Sequence, residues 1–150
     1  MITDSTKKNK LTAVHSFTVF PTDLNYAGSL FGGKVMAEMD IAGVKVVRRA
    51  LYHTGAEGAV TASVDRIDFL KPAFLGDLIT MVAEIKAVGK SSIQVRITVT
   101  RESTMGETDN ICSANFTFVA TKNKKAFPHG LSFEKLEASE NEEVKSDNKV

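Results

Sequence analysis

Apolar and polar residues alternate along much of this chain. Ile79, Met81, Ala83, Ile85 and Ala87 line one face of one run. Ile93, Val95, Ile97 and Val99 line a second, against Ser92, Gln94, Arg96 and Thr98. Cys112, Ala114, Phe116, Phe118 and Ala120 line a third. A repeat of two marks a half-buried strand. A fourth run begins Val60, Ala62, Val64 and then slips parity to Ile67 and Phe69, which predicts a β-bulge near Asp65 and Arg66. Residues 11–20, "LTAVHSFTVF", read as a fifth strand. Gly89-Lys90 between the first two runs suits a two-residue type II′ hairpin, and "STMGET" makes a longer turn. Links this short imply antiparallel pairing, because parallel neighbours need long crossovers.

Residues 31–47, "FGGKVMAEMDIAGVKVV", break the alternation and repeat at helical spacing. With about 100° per residue and Met36 at zero, Gly43 and Val47 fall within about 20° of it and Leu51 at about 60°. Met39, Val46 and Ala50 flank this stripe. Lys34, Glu38, Lys45, Arg48 and Arg49 take the opposite side. One amphipathic helix on a five-stranded antiparallel sheet is the simplest solution, an α+β fold.

The pattern holds over residues 11–131, which form a single domain. Residues 1–10 are polar and read as a flexible arm. Residues 132–150 are charged and poor in large apolar side chains, so they read as a disordered tail. A net charge of +1 gives no electrostatic case for nucleic acid or an anionic membrane as partner. Cys112 is the only cysteine, which excludes an intrachain disulfide and a Cys-rich zinc site. The start of the chain has no apolar leader and no run reaches membrane-span length, so a cytoplasmic location is expected.

One helical residue is out of place. Asp40 lies near 40° on the wheel, inside the apolar arc rather than at its rim. A buried, unpartnered carboxylate costs several kcal/mol, so Asp40 is either a structural acid with a partner such as Arg66 or a functional acid facing a cleft. Gly32, Gly33 and Gly43 each weaken a helix by about 1 kcal/mol relative to alanine. They either let the helix approach the sheet or admit a ligand. Gly43 follows Asp40 by three residues and leaves room beside it; Gly32 and Gly33 lie where helix amides lack acceptors, a setting for an anion or a developing oxyanion. Asn25 is a turn residue or a carboxamide that orients water. His15, His53 and His129 show no metal-ligand spacing, Cys112 alternates as a core residue, and no G-x-S-x-G elbow is present. Lys122, Lys124 and Lys125 form a solvated turn or a phosphate contact.

The segment "PTDLNYAGSLFGGKVMAEMDIAG" resembles the signature of the hotdog-superfamily acyl-CoA thioester hydrolases, in the YciA-like branch related to the cytosolic acyl-CoA thioesterases of animals. The likeness continues through "SVDRIDFLKP" and "GDLITMVAEIKAVGKSS" to "ANFTFVA", over about residues 12–130. It implies a long helix wrapped by a curved sheet, and obligate dimers joined sheet edge to sheet edge, often as hexameric trimers of dimers. It implies active sites at the dimer interface and acyl-CoA as substrate. No further cofactor is implied, since coenzyme A arrives as part of the substrate. By motif, Asp40 matches the catalytic acid and Asn25 the asparagine that approaches it from the partner subunit. Phe31 replaces a histidine found in some relatives. Lys90, Ser91 and Ser92 match a segment near bound coenzyme A; Phe69 and Lys71 match the cleft lining. The implied reaction is hydrolysis with Asp40 as general base or as nucleophile, and with a backbone amide near Gly33 holding the oxyanion. A non-enzymatic acyl-CoA-sensing module is the alternative, though the short arm leaves no room for a helix-turn-helix. A hydratase would want a histidine near the helix start, and none is there.

Overall fold

The computed structural model describes residues 10–147, with side chains through residue 141. The arm expected at residues 1–10 lies outside the described residues except for Lys10. The elements run β1 (Thr12–Thr18), α1 (Gly32–Leu51), β2 (Gly58–Phe69), β3 (Leu78–Val88), β4 (Ser92–Glu102), β5 (Thr108–Lys122), β6 (Lys125–Ala126) and α2 (Phe133–Asp147). The main strands form one antiparallel sheet in the order β1-β3-β4-β5-β2, and β6 adds to β5. Helix α1 packs against all five main strands, so the sheet curls around it.

Alternation decides which face curls inward. Ile79, Met81 and Ala83 of β3, Ile93, Ile97 and Val99 of β4, and Cys112, Phe116 and Phe118 of β5 are buried as the period-two pattern predicts. Each fully buried large side chain contributes about 1.5–3 kcal/mol, and α1 completes the core with Met39, Val46 and Val47. The expected bulge in β2 is present. Its register against β5 shifts between Asp65 and Asp68, and Arg66 has a φ of 41°.

Several expectations fail. The β3–β4 hairpin is not type II′, because Gly89 is absent from the positive-φ residues. Gly89 serves close approach instead: a Cβ there would collide with the Ser92 side chain. The strand read over residues 11–20 is shorter, and only Ala13 in it is buried. A sixth strand, β6, follows a turn at Asn123 and Lys124, both at positive φ; Lys122, Lys124 and Lys125 are exposed there. The tail is not disordered throughout, since residues 133–147 form α2. Leu131, Phe133 and Leu136 join the core, and Glu140 accepts the Leu11 N–H at 2.9 Å. Mean composition hid this, because a few apolar anchors dock an otherwise charged helix.

The polar side of α1 is not a solvated face. It closes the free edge of β1. Lys45 Nζ donates to the Val14 carbonyl at 2.9 Å and Arg49 to that of Thr12 at 3.4 Å. His15 of β1 bonds Glu38, which also pairs with Lys34 at 2.7 Å. Burial pushes the Glu38 carboxyl up, but Lys34 and His15 outweigh it and hold it below 4.5. A carboxylate whose folded pKa is depressed adds stability above its unfolded pKa and loses it as pH falls through the folded value. Glu38→Gln is therefore expected to flatten the part of the stability loss that the wild type shows below about pH 4.5, read from urea midpoints as the protein is acidified. An acid limb identical to the wild type would contradict this.

The opposite edge is open. β2 pairs with β5 on one side only, and seven consecutive residues from Val60 to Arg66 are exposed. Val60 is 55% exposed and Phe69 53%. Among the described residues, no helix is long and apolar enough to cross a membrane.

Candidate active site

The start of α1 has no cap. Phe31 occupies the N-cap position, where serine or aspartate would bond the first amides, and its side chain makes no capping bond. The amides of Lys34 and Val35 reach the Phe31 carbonyl. Those of Gly32 and Gly33 have no acceptor among the described residues. Two free N–H groups at the positive end of a 20-residue helix are suited to oxyanion binding. The Phe31 ring folds over Gly33 so closely that a Cβ there would sit 2.5 Å from it, so a larger residue would make this exposed ring swing aside.

Gly32 borders an apolar crevice of about 330 Å³. Gly32, Val35, Phe69 and Cys112 form its walls, with Lys71 beside them. Phe69 and Lys71, matched to the cleft lining, thus meet here with the helix-start Gly32. Lys71 is tied at 2.7 Å to Asp109, which Arg101 also binds at 3.2 Å. Lys71 first, then Arg101, hold the Asp109 carboxyl below its ordinary range. Burial pushes the Cys112 thiol up to about 11, so it stays protonated at neutral pH and is not a nucleophile.

Asp40 lies eight residues beyond Gly32 on α1, a rise of about 12 Å. Its angle is inside the apolar arc, as the wheel predicts: Val47 and Leu51, on either side of it, are buried, with Val35, Met39, Ala42, Gly43, Val46 and Ala50. Asp40 itself is half-buried, and Met36, one turn before it on the same face, is 42% exposed. The Thr61 hydroxyl of β2 donates to its Oδ1, and not Arg66, which pairs with Asp68. Oδ2 has no partner among the described residues. Gly43 leaves no room beside the acid, as it faces the sheet: a Cβ there would lie 2.7 Å from the Phe118 ring and 3.2 Å from Ile97.

Asn25 holds its own loop. Its Oδ1 accepts the amides of Ala27 at 3.0 Å and Ser29 at 3.1 Å, and its Nδ2 donates to Ser29 Oγ at 3.0 Å. One Nδ2 hydrogen remains, so Asn25 can offer a further bond only as a donor. The loop tip, Tyr26, is fully exposed. Within the protomer Asn25 bonds this loop and Asp40 bonds Thr61; the two are not joined. Lys90, Ser91 and Ser92 lie further off. Ser92 faces Val119 across β4 and β5, seven residues along β5 from Cys112, or about 23 Å. Sequence reasoning missed Thr61, although its place in the run before the bulge carries it to α1. Among the described residues, no cluster of three or more His, Cys, Asp or Glu could hold a metal ion.

Residues 27–107 match the model of the thioesterase superfamily. The chain belongs to this superfamily. Its hotdog architecture is the helix-in-sheet arrangement described above. A Bacillus subtilis relative, YkhA, described as an uncharacterized acyl-CoA thioester hydrolase, is 38% identical over 109 residues, which cover 71% of this chain and 60% of the relative. A hexameric thioesterase from Yersinia pestis superposes with a TM-score of 0.70 at 32% identity, over 78% of this chain and 92% of that one. The Staphylococcus aureus acyl-CoA hydrolase, solved with butyryl coenzyme A and coenzyme A, gives a TM-score of 0.70 at 27% identity, over 93% and 92% of the two chains. Alanine variants of that enzyme at one asparagine and one aspartate have also been solved.

Proposed function

We propose that this thioesterase-superfamily chain hydrolyses acyl-CoA thioesters to a carboxylic acid and coenzyme A. The observation that carries the proposal is the uncapped α1 N-terminus, where Gly32 borders an apolar crevice, on the helix that also carries a half-buried carboxylate. Ionised Asp40 takes a proton from water. The hydroxide adds to the thioester carbon, and the carbonyl oxygen becomes an oxyanion held by the Gly33 amide of the partner protomer, since about 10 Å of helix separates Gly33 from Asp40 within one chain. The carbon–sulfur bond then breaks, and the thiolate of coenzyme A leaves and takes the proton from Asp40. Thr61 fixes one oxygen of Asp40 and leaves the other for water.

Asn25 supplies its spare N–H to the water or the carbonyl from the partner protomer. In the Staphylococcus aureus enzyme, the asparagine and aspartate replaced by alanine have the same separation along the chain as Asn25 and Asp40, which supports pairing these two. A second copy meets β2, because β1 is closed by α1 and a long exposed strand edge calls for a partner. The hexameric Yersinia pestis neighbour supports a dimer that assembles further, as a trimer of dimers. Lys90, Ser91 and Ser92 bind the coenzyme end of the substrate, and Phe69 and Lys71 line its path.

Purified protein supplied with a series of straight-chain acyl-CoAs is expected to release free thiol from at least one chain length, at a rate proportional to protein. A chain that binds these thioesters without releasing thiol from any of them would contradict the proposal and mark a sensing module.

A further inference from the structure

His129 lies outside the matched family segment and is 5% exposed. Its backbone and both ring nitrogens are committed around the β3–β4 hairpin. Its amide donates to the Lys90 carbonyl at 3.1 Å. Its Nδ1 accepts the Leu131 amide at 3.0 Å, and an amide can only donate. Nδ1 is therefore bare and Nε2 carries the proton, which it donates to the Ser92 carbonyl at 3.1 Å. The Ala120 amide binds the Ser91 carbonyl at 2.8 Å, and the Gly89 amide also reaches the Ser92 carbonyl, at 2.9 Å. All three hairpin carbonyls are thus turned into the protein. The Lys90 ammonium and the two serine hydroxyls have no partner among the described residues, so they remain free as donors.

The strap that carries His129 is anchored on both sides. β6 pairs with β5 before it, and α2 follows it with Leu136 buried. Gly130 has a φ of 70°, and a Cβ there would meet nothing within 4 Å. That glycine is needed for the reversed backbone that lets His129 Nδ1 meet the next amide but one, and not for space.

We propose that His129 is a positioning residue, which in its neutral Nε2–H form locks the Lys90–Ser92 hairpin so that Lys90, Ser91 and Ser92 present a fixed donor set to the phosphate-bearing end of the thioester substrate. This rests on the reading above that the hairpin meets coenzyme A. The imidazole touches no substrate atom. It shapes affinity and leaves the chemistry at Asp40 alone.

The test uses the full-length oligomer and initial rates on its best acyl-CoA. His129→Ala is expected to raise KM about tenfold, the size of one or two net hydrogen bonds, with kcat within about twofold of the wild type, because binding is lost without loss of transition-state contacts. His129→Gln, whose amide can both donate and accept, is expected to recover most of that loss. A second measurement, hydrogen exchange at the Gly89 and Ala120 amides, is expected to quicken in His129→Ala and recover in the Gln variant. Unchanged KM and unchanged exchange in His129→Ala would overturn the proposal. So would a fall in kcat and in melting temperature alongside the rise in KM, none of them repaired by Gln, because those describe a core residue. Lys90→Met separates the premise from the inference. If Lys90→Met leaves KM unchanged, the hairpin does not meet coenzyme A and the inference falls with that reading. If it raises KM while His129→Ala does not, only the role of His129 falls.

Discussion

Asp40→Asn is expected to lower kcat by about 10²- to 10⁴-fold, the usual contribution of a positioned general base. The amide keeps the size of the carboxyl, and its oxygen can still accept from Thr61. What is lost is the basic lone pair. Coenzyme A binding is expected to stay within a few-fold of the wild type, because the groups assigned to it lie at the hairpin and the crevice and not at Asp40. Calorimetric titration with coenzyme A beside steady-state rates separates the two quantities. A variant that turns over at the wild-type rate would end the assignment of Asp40. One that loses coenzyme A binding and turnover together would show that Asp40 shapes the site and does no chemistry in it.

The largest stability effect is expected at Gly43. Gly43→Val adds three carbons where a single Cβ would already crowd the Phe118 ring and Ile97. Overpacking of this kind costs about 1–3 kcal/mol. The better helix propensity of valine returns only a few tenths of a kcal/mol, so the cost wins. A loss near 3 kcal/mol lowers the melting temperature of a chain this size by about 10 °C. Gly43→Ala should cost less, since alanine recovers about 1 kcal/mol of propensity. Thermal melts of both variants check the order. If Gly43 instead made room beside Asp40, Gly43→Val would cut kcat and leave the melting temperature near that of the wild type.

The strands β3, β4 and β5 were legible in the sequence because their inner faces are buried by α1, so burial imposes a strict period of two. β2 shows the same alternation, yet most of its side chains are exposed in a single protomer. The second copy proposed to meet β2 would account for that pattern. The wheel of α1 held in angle, since Val47 and Leu51 on either side of Asp40 are buried. It could not show that Met36 and Asp40, earlier on the same face, are only partly covered within one protomer. Lys45 and Arg49 read only as part of the polar side of the helix, whereas they bond carbonyls of the β1 edge, a contact between segments more than thirty residues apart. At the site, Gly32, Phe69 and Lys71 line one crevice. The motif could not separate the roles of Asn25, which organises its own loop here and also keeps one hydrogen to donate. Thr61 and His129 act through contacts set by tertiary pairing, and nothing in their local sequence announces them.

The central claim is that Asp40 of one protomer works with Asn25 of its partner. Mixing measures it directly. Asp40→Asn and Asn25→Ala subunits, carrying different affinity tags, are coexpressed and allowed to assemble at random. In a two-fold dimer each mixed pair contains one site with both native residues, so the population is expected to recover about a quarter of wild-type kcat, although each variant alone is nearly inactive. Activity that stays at the level of the single variants, with mixed oligomers present by both tags, would mean that the two residues serve the same protomer and would contradict the account.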